Sequence, residues 1–513
     1  MNKSLARRSL GEGGPLALAL TAALALAAFG VVRGTRAVGG SDSSCYALMA
    51  EAFGTGHWQP SSALAIAAPW PDASRTLAPG GFIPSPVRPD AASPICAPGF
   101  SVLMAPLRAI GGREAIFAVT PIAGFVLVLS AFVLARRLGG GLAGVSAAVL
   151  TAASPIVLFQ VVQPMNDVAT AALWLAAFAL ASRPLAAGVL IGLAILVRPN
   201  LAPLAVIIAA MQWRPGQPMP VRAVAALVAG AVPGVALWLG LNHILYGSIA
   251  GNGYGDVGQL FSVSHVAANL AAYGRALYET QTVFPLLALA APFVLTGESR
   301  RLAWWLLAAA AAVFGIYLLY RPYPEWWYLR FLIPAIVLMI VTACGVAVLV
   351  ADRGRMRGVV AIGTIALALT GLRVAGARQV LDLPRMEGRY RDTAELVSAR
   401  LPENAVLITV WESGSVRFHA GREAVMWDAL DPAWLDRAVA WLTAQGRTPY
   451  ILTERGEEAE FRRRFSAHSN LGALDWPPRF NIGGQARIFD PADRARYLAG
   501  EGYPTENTRR PRR

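Results

Sequence analysis

The sequence predicts a polytopic α-helical membrane protein of about eleven spans, with a long first outer loop and a C-terminal α/β domain outside the membrane. Three observations carry this. The 513 residues are 55% hydrophobic and only 15% charged, with mean hydropathy +0.48, whereas soluble domains carry about 25% charged residues. The apolar residues come in long repeated runs rather than as periodic faces. From about Gln379 the composition turns to that of a soluble domain.

Taken in order, the apolar runs place spans near 15–33, 114–135, 141–161, 167–182, 185–197, 200–212, 222–245, 283–296, 303–320, 329–350 and 357–375. The first run follows a basic start. It is long for a signal peptide, and Gly39-Gly40 is a poor cleavage site, so it reads as a retained span. With the N-terminus in the cytoplasm, Arg136-Arg137, Arg183, Arg214 with Arg222, Arg300-Arg301, and Arg353, Arg355 with Arg357 all fall on the inner side. That alternation obeys the positive-inside bias and predicts a multi-pass protein of a bacterial-type inner membrane. It also explains the net charge of +14 as topology, so no nucleic-acid partner is expected.

The outer side then receives the loop 34–113, a second loop 246–282 and the C-terminal segment. The first loop is Pro-rich in its centre, and its apolar ends read as interfacial helices resting on membrane lipids. Cys45 and Cys96 frame that loop and are the candidate disulfide; closing it would contribute roughly 3–5 kcal/mol. The domains expected are a membrane domain 1–378, an α/β domain 379–500 and a basic disordered tail 501–513. In the α/β domain, Ala405–Val410, Glu423–Trp427 and Tyr450–Leu452 read as strands, while Pro432–Thr443 and Glu457–Arg464 read as helices. Gly483-Gly484 stands alone, so no nucleotide cofactor is assigned. No CxxC, no P-loop and no His/Cys cluster occurs, so no metal ligands are assigned.

Charges at the outer ends of spans mark functional sites by default. Asp42 lies where the chain leaves the first span, with Tyr46 one helical turn on and Glu51 beyond. An acid beside an aromatic hydroxyl at a membrane surface is poised to deprotonate a hydroxyl or amine; the plainer reading is a solvated acid capping a short helix. Asp167 opens the fourth span, Arg198 occupies an outer turn, and Glu325 and Arg330 flank Trp326-Trp327. Guanidinium groups bind phosphate in a fork and keep their charge when partly buried. A structural pair with Asp167, or snorkelling beside the tryptophans, accounts for the same arginines. Tyr246 and Tyr254 in the second outer loop are candidates for sugar contact.

These motifs resemble those of the C-type membrane glycosyltransferases, the superfamily of protein O-mannosyltransferases and lipid A aminoarabinose transferases. The resemblance rests on Asp42-x3-Tyr46-x4-Glu51 with Gly56-His57-Trp58; Ala97-Pro98-Gly99-Phe100 leading into Leu103-x2-Pro106-Leu107; Gln163-Pro164-Met165-x-Asp167; Gly188-x3-Gly192-x5-Arg198-Pro199; Asn242-x3-Tyr246-Gly247; and Arg330-Phe331-x2-Pro334. It covers residues 1 to about 375. It implies an inverting transferase that moves a hexose or pentose from a polyprenyl-phosphate donor to a glycan, lipid or protein acceptor. In that family the first-loop acid is the catalytic base, which maps to Asp42, and outer basic residues hold the lipid phosphate, which maps to Arg198 and Arg330. Ser43 stands where many members carry a second acid, so donor and acceptor stay open. Some relatives use a divalent metal. The rival readings are a lipid-linked-saccharide flippase, with the charges as gates, or a non-enzymatic membrane assembly protein. Transporter sites usually lie at mid-membrane, whereas these charges gather at one face.

Overall fold

The computed structural model describes residues 3–214, 216–353 and 356–508; Arg355 and the 509–513 end of the basic tail lie outside the described residues. The chain divides into two compact units. One, the helical unit, takes the chain up to Gly34, Phe117–Leu239 and Asp256–Leu383. The other, the mixed unit, takes Thr35–Ile116, Gly240–Gly255 and Pro384 onward.

Among the described residues, six helices are long and apolar enough to cross a membrane, or up to eight when each of two bent pairs counts as one span. The sequence expects about eleven, and the difference lies in the shorter runs. Pro184–Val197 and Pro199–Met211 are 10–17 residues long, under the ~20 needed to cross a bilayer upright. Pro155–Val161 and Asn166–Ala179 meet at 116°, and Val263–Gln281 and Phe284–Val294 at 108°. In the other direction, the stretch Val119–Ala152 is two helices, not one. A straight helix would separate residues 132 and 144 by about 18 Å, yet a Cβ on Gly144 would lie 3.0 Å from the Phe132 carbonyl oxygen. The chain doubles back at Gly139-Gly140, where Gly140 takes φ +76°, a conformation that glycine adopts freely.

The helix Trp326–Asp352 is the centre of the helical unit. Its apolar window is 78% buried, against 11% for Arg357–Ala377, so the second presents most of its surface outward. Gly188 and Gly192 of Pro184–Val197 cross the helix Val221–Tyr246 at Leu227–Gly234. A Cβ on Gly188 would overlap the Leu227 carbonyl, and one on Gly192 would sit 2.6 Å from the Ala231 carbonyl. Small residues four apart let two backbones approach this closely in a membrane. Arg198 caps the same helix, so this crossing sets its place.

In the mixed unit the first loop and the C-terminal segment share one hydrophobic core. Leu64, Trp70, Ala73 and Leu77 pack among Val406, Ile408, Leu435, Leu442 and Phe461, and Trp70 meets Trp441 edge-on at 5.5 Å. The unit that takes Pro384 onward also takes in residues 35–116. A Pro-rich loop buries too little of its own apolar surface to be stable alone, and the sheet domain supplies the missing partner.

A short antiparallel pair, β1 (Phe82–Pro84) and β2 (Ala92–Pro94), lies within the loop. The six-stranded sheet has the order β4-β3-β5-β7-β6-β8, with β3 Ala405–Ile408, β4 Glu423–Val425, β5 Thr448–Glu454, β6 Phe480–Ile482, β7 Ala486–Phe489 and β8 Glu506–Thr508. Strands β4, β3 and β5 are parallel, β7 is antiparallel to β5 and β6, and β8 is parallel to β6. Residues 506–508 therefore belong to the sheet rather than to a disordered tail.

Candidate functional site

Asp167, Arg198 and Arg330 come together in the helical unit. Asp167 lies in the first turn of Asn166–Ala179 and is fully buried. Arg198 Nη2 donates to Asp167 Oδ1 at 2.7 Å and to Asn166 Oδ1 at 2.6 Å. Arg330 Nη1 lies 3.8 Å from Asp167 Oδ2. The two guanidinium side chains are only 11% and 14% exposed.

Aromatic rings hold both arginines. The Phe331 ring lies 5.5 Å from the Arg198 guanidinium and 4.9 Å from that of Arg330, and Tyr328 lies 5.4 Å from Arg330. Tyr317 stacks on Phe331 at 5.0 Å with 8° between the planes. Its hydroxyl accepts from Asn200 Nδ2 at 3.1 Å and lies 3.5 Å from Arg198 Nη1. Cation–π contacts and the hydroxyl steer the guanidiniums without adding negative charge. One carboxylate thus faces two permanent cations in a poorly solvated place. In the contacts described, two guanidiniums face one carboxylate, and arginine does not shed its charge by deprotonation. Chemically, two guanidiniums so placed can bind an anion.

The other sequence-derived candidates lie in the mixed unit, apart from Glu325, which is exposed at the start of the turn Trp326–Leu332 in the helical unit. Asp42 is half-buried in the first turn of the helix Gly40–Gly54, where an acid is favoured by the helix dipole. Tyr46 shares its face but is buried, edge-on to Phe100 at 5.1 Å. Glu51 points to the opposite face and is taken up by an ion pair with Arg108 and a 3.1 Å contact with Arg113 Nε. Burial works to raise its pKa, but the two arginines outweigh it and hold the carboxyl below its ordinary value. Tyr246 donates to the Pro94 carbonyl at 2.7 Å. Packing, an ion pair and a loop hydrogen bond therefore occupy Tyr46, Glu51 and Tyr246, while Tyr254 is exposed. A disulfide joins Cys45 and Cys96, with Cα atoms 6.3 Å apart. Among the described residues no three His, Cys, Asp or Glu side chains gather as a metal site.

Sequence reasoning missed the roles of Phe331, quoted only as the residue after Arg330, and of Tyr317, set among apolar neighbours, in gripping the charges. It also missed a group of carboxyls in the mixed unit. Glu412 is fully buried, and Glu454 and Glu457 are nearly so. Arg389 donates to Glu454 at 3.1 Å and lies 3.6 Å from Glu387. Burial, and then the neighbouring Glu454, push the Glu412 carboxyl well above its ordinary value. Burial likewise raises Glu457 to about 7, against hydrogen bonds from the Glu454 and Trp411 amides that favour its charge.

The fold is the GT-C fold of membrane glycosyltransferases. Among solved structures, ArnT from Cupriavidus metallidurans in the apo state matches with a TM-score of 0.59 at 13% identity, over 87% of this chain and 94% of that one. The same protein bound to undecaprenyl phosphate matches with a TM-score of 0.59 at 13% identity, over 88% and 95% of the two chains. The Archaeoglobus fulgidus oligosaccharyltransferase in complex with Zn and sulfate gives a TM-score of 0.47 at 13% identity, over 88% of this chain and 70% of that one. No protein-family model and no curated protein matches the sequence.

Proposed function

We propose that this multi-pass membrane protein is an inverting glycosyltransferase that moves a sugar from a polyprenyl-phosphate carrier to an acceptor at the outer face. The observation that carries the proposal is the pair of half-sequestered guanidiniums, Arg198 and Arg330, with one carboxylate between them. The shared fold with a protein that has been captured with undecaprenyl phosphate supports a lipid phosphate as the anion.

The roles follow from the bonds that change. The acceptor hydroxyl or amine loses its proton to the Asp42 carboxylate as its lone pair attacks the anomeric carbon. The bond from that carbon to the phosphate oxygen breaks, and its electron pair stays on the phosphate, which gains charge. Arg198 and Arg330 stabilise that charge as it develops. Asp167 holds the two arginines in place when no phosphate is bound. Direct displacement inverts the anomeric centre, and the phosphate leaving group makes a nucleotide unnecessary. Exposed Tyr254 and Glu325 are the candidates for sugar contact. With the N-terminus in the cytoplasm, the mixed unit lies outside, consistent with its disulfide.

Asp42→Asn keeps the side chain's shape and removes the proton acceptor, so transfer should fall by about 10²–10⁴-fold. The assay is transfer by purified, folded protein from a panel of undecaprenyl-phosphate-linked pentoses and hexoses. Near-normal transfer by the variant would end the assignment of Asp42 as base.

A further inference from the structure

The turn that carries Asp42 is held by residues far along the chain, all within the mixed unit. The Val38 amide donates to His419 Nε2 at 3.2 Å. A Cβ on Gly39 would overlap the Tyr390 ring and lie 2.9 Å from Glu387 Oε2. One on Gly81, whose φ is +90°, would overlap the Ser41 carbonyl. One on Gly414 would overlap Ser44 Oγ and lie 2.5 Å from Ser44 Cβ. Next to it, Ser413 Oγ accepts from the Gly80 amide at 3.0 Å, tying the same short segment to the loop. The helix Gly40–Gly54 packs on the segments Ser413–Ser415 and Val416–Ala420. Val38, Gly39, Ser41 and Ser44 are thus each held or closely approached by a residue outside their own helix, and Asp42 among them is half-buried.

We infer that Gly414 and His419 are positioning residues for Asp42, so that the C-terminal domain acts in transfer by holding the catalytic turn rather than by touching substrate. This rests on the reading of Asp42 as the base. The spacing is the reason. Interior packing is close enough that one added methyl group must displace something, and here the displaced group would be the turn two residues after Asp42. Loss of the His419 acceptor would leave the Val38 amide unsatisfied at the start of the same turn.

The contact supplies its own test, because Ser44 Oγ is buried and makes no hydrogen bond. In Gly414→Ala/Ser44→Gly, the next atom the new methyl group meets is Ser44 Cα at 3.5 Å, an ordinary contact. Amide hydrogen exchange of the purified full-length protein reads the turn directly, without substrate. Gly414→Ala should speed exchange in residues 37–46 by about tenfold, and the double variant should return it to within about twofold of wild type. His419→Ala should open the same residues and keeps the test alive if Gly414→Ala does not fold. Transfer should fall with the opening and recover in the double variant, while Asp42→Asn loses transfer with exchange unchanged. Wild-type exchange in both single variants overturns the inference. So does opening that spreads through the whole sheet, or an opened turn with undiminished transfer while Asp42→Asn is inactive. Full transfer by Asp42→Asn would instead remove the base reading, and the positioning role with it.

Discussion

Two buried charge clusters in this chain are out of balance in opposite directions. In the helical unit, Arg198 and Arg330 share the single carboxylate of Asp167. In the mixed unit, Glu387 and Glu454 flank the guanidinium of Arg389, and buried Glu412 and Glu457 lie close to Glu454. Poorly solvated excess charge is costly in either case. The carboxyl cluster can relieve it by holding protons, and Glu412 and Glu457 do so with raised pKa values. The arginine cluster has no such route, since a guanidinium does not titrate in a protein. A bound anion would neutralise it. The carboxyl cluster is therefore a structural element whose stability depends on pH, and the arginine cluster is the proposed ligand site.

Removing a counter-charge should show the difference most strongly. Asp167→Asn removes the carboxylate that both guanidiniums face, and breaking a buried pair from one side costs about 3–5 kcal/mol. The expected result is a large drop in the thermal stability of the purified protein, partly restored by added undecaprenyl phosphate. An unchanged melting temperature would mean that Asp167 is not the counter-charge.

The carboxyl cluster should respond to pH instead. Glu457 has a folded pKa of about 7 against an ordinary 4.5, so its contribution is fully present below the ordinary value and is lost as pH rises through 7. The span corresponds to about 3 kcal/mol. Wild-type protein should melt at a lower temperature at pH 8 than at pH 5. Glu457→Gln, though weakened by one lost backbone hydrogen bond, should show a smaller difference between the two. Equal pH dependence in variant and wild type would contradict the raised pKa.

Charge in an apolar setting was the legible part of this site. Asp167, Arg198 and Arg330 stand out in the sequence because membrane spans rarely carry such residues. The helical runs were legible for the same reason, and Arg136-Arg137 marked the break between 135 and 141. Beyond the Cys45–Cys96 disulfide and the Asp167–Arg198 pair, pairing over long distance could not be read. Nothing in Trp70 names Trp441, and nothing in Ser44 names Gly414, because tertiary packing leaves no local periodicity. The second half of the sheet was missed for a local reason. Strands β6, β7 and β8 have three or four residues each, and Gly483-Gly484, set aside as an isolated pair, forms the β6–β7 turn with φ of +55° and +70°.

The account stands most directly on the claim that the arginine cluster holds a lipid phosphate. Undecaprenyl phosphate and undecaprenol share one tail and differ only in the phosphate, so titrating both into purified full-length protein isolates the head group. The account predicts that wild type binds the phosphate far more tightly than the alcohol, and that Arg198→Ala or Arg330→Ala weakens phosphate binding by at least about tenfold, the loss of one charged hydrogen bond, without changing binding of the alcohol. Equal affinity of wild type for the two lipids, or phosphate binding undisturbed by both substitutions, would contradict it.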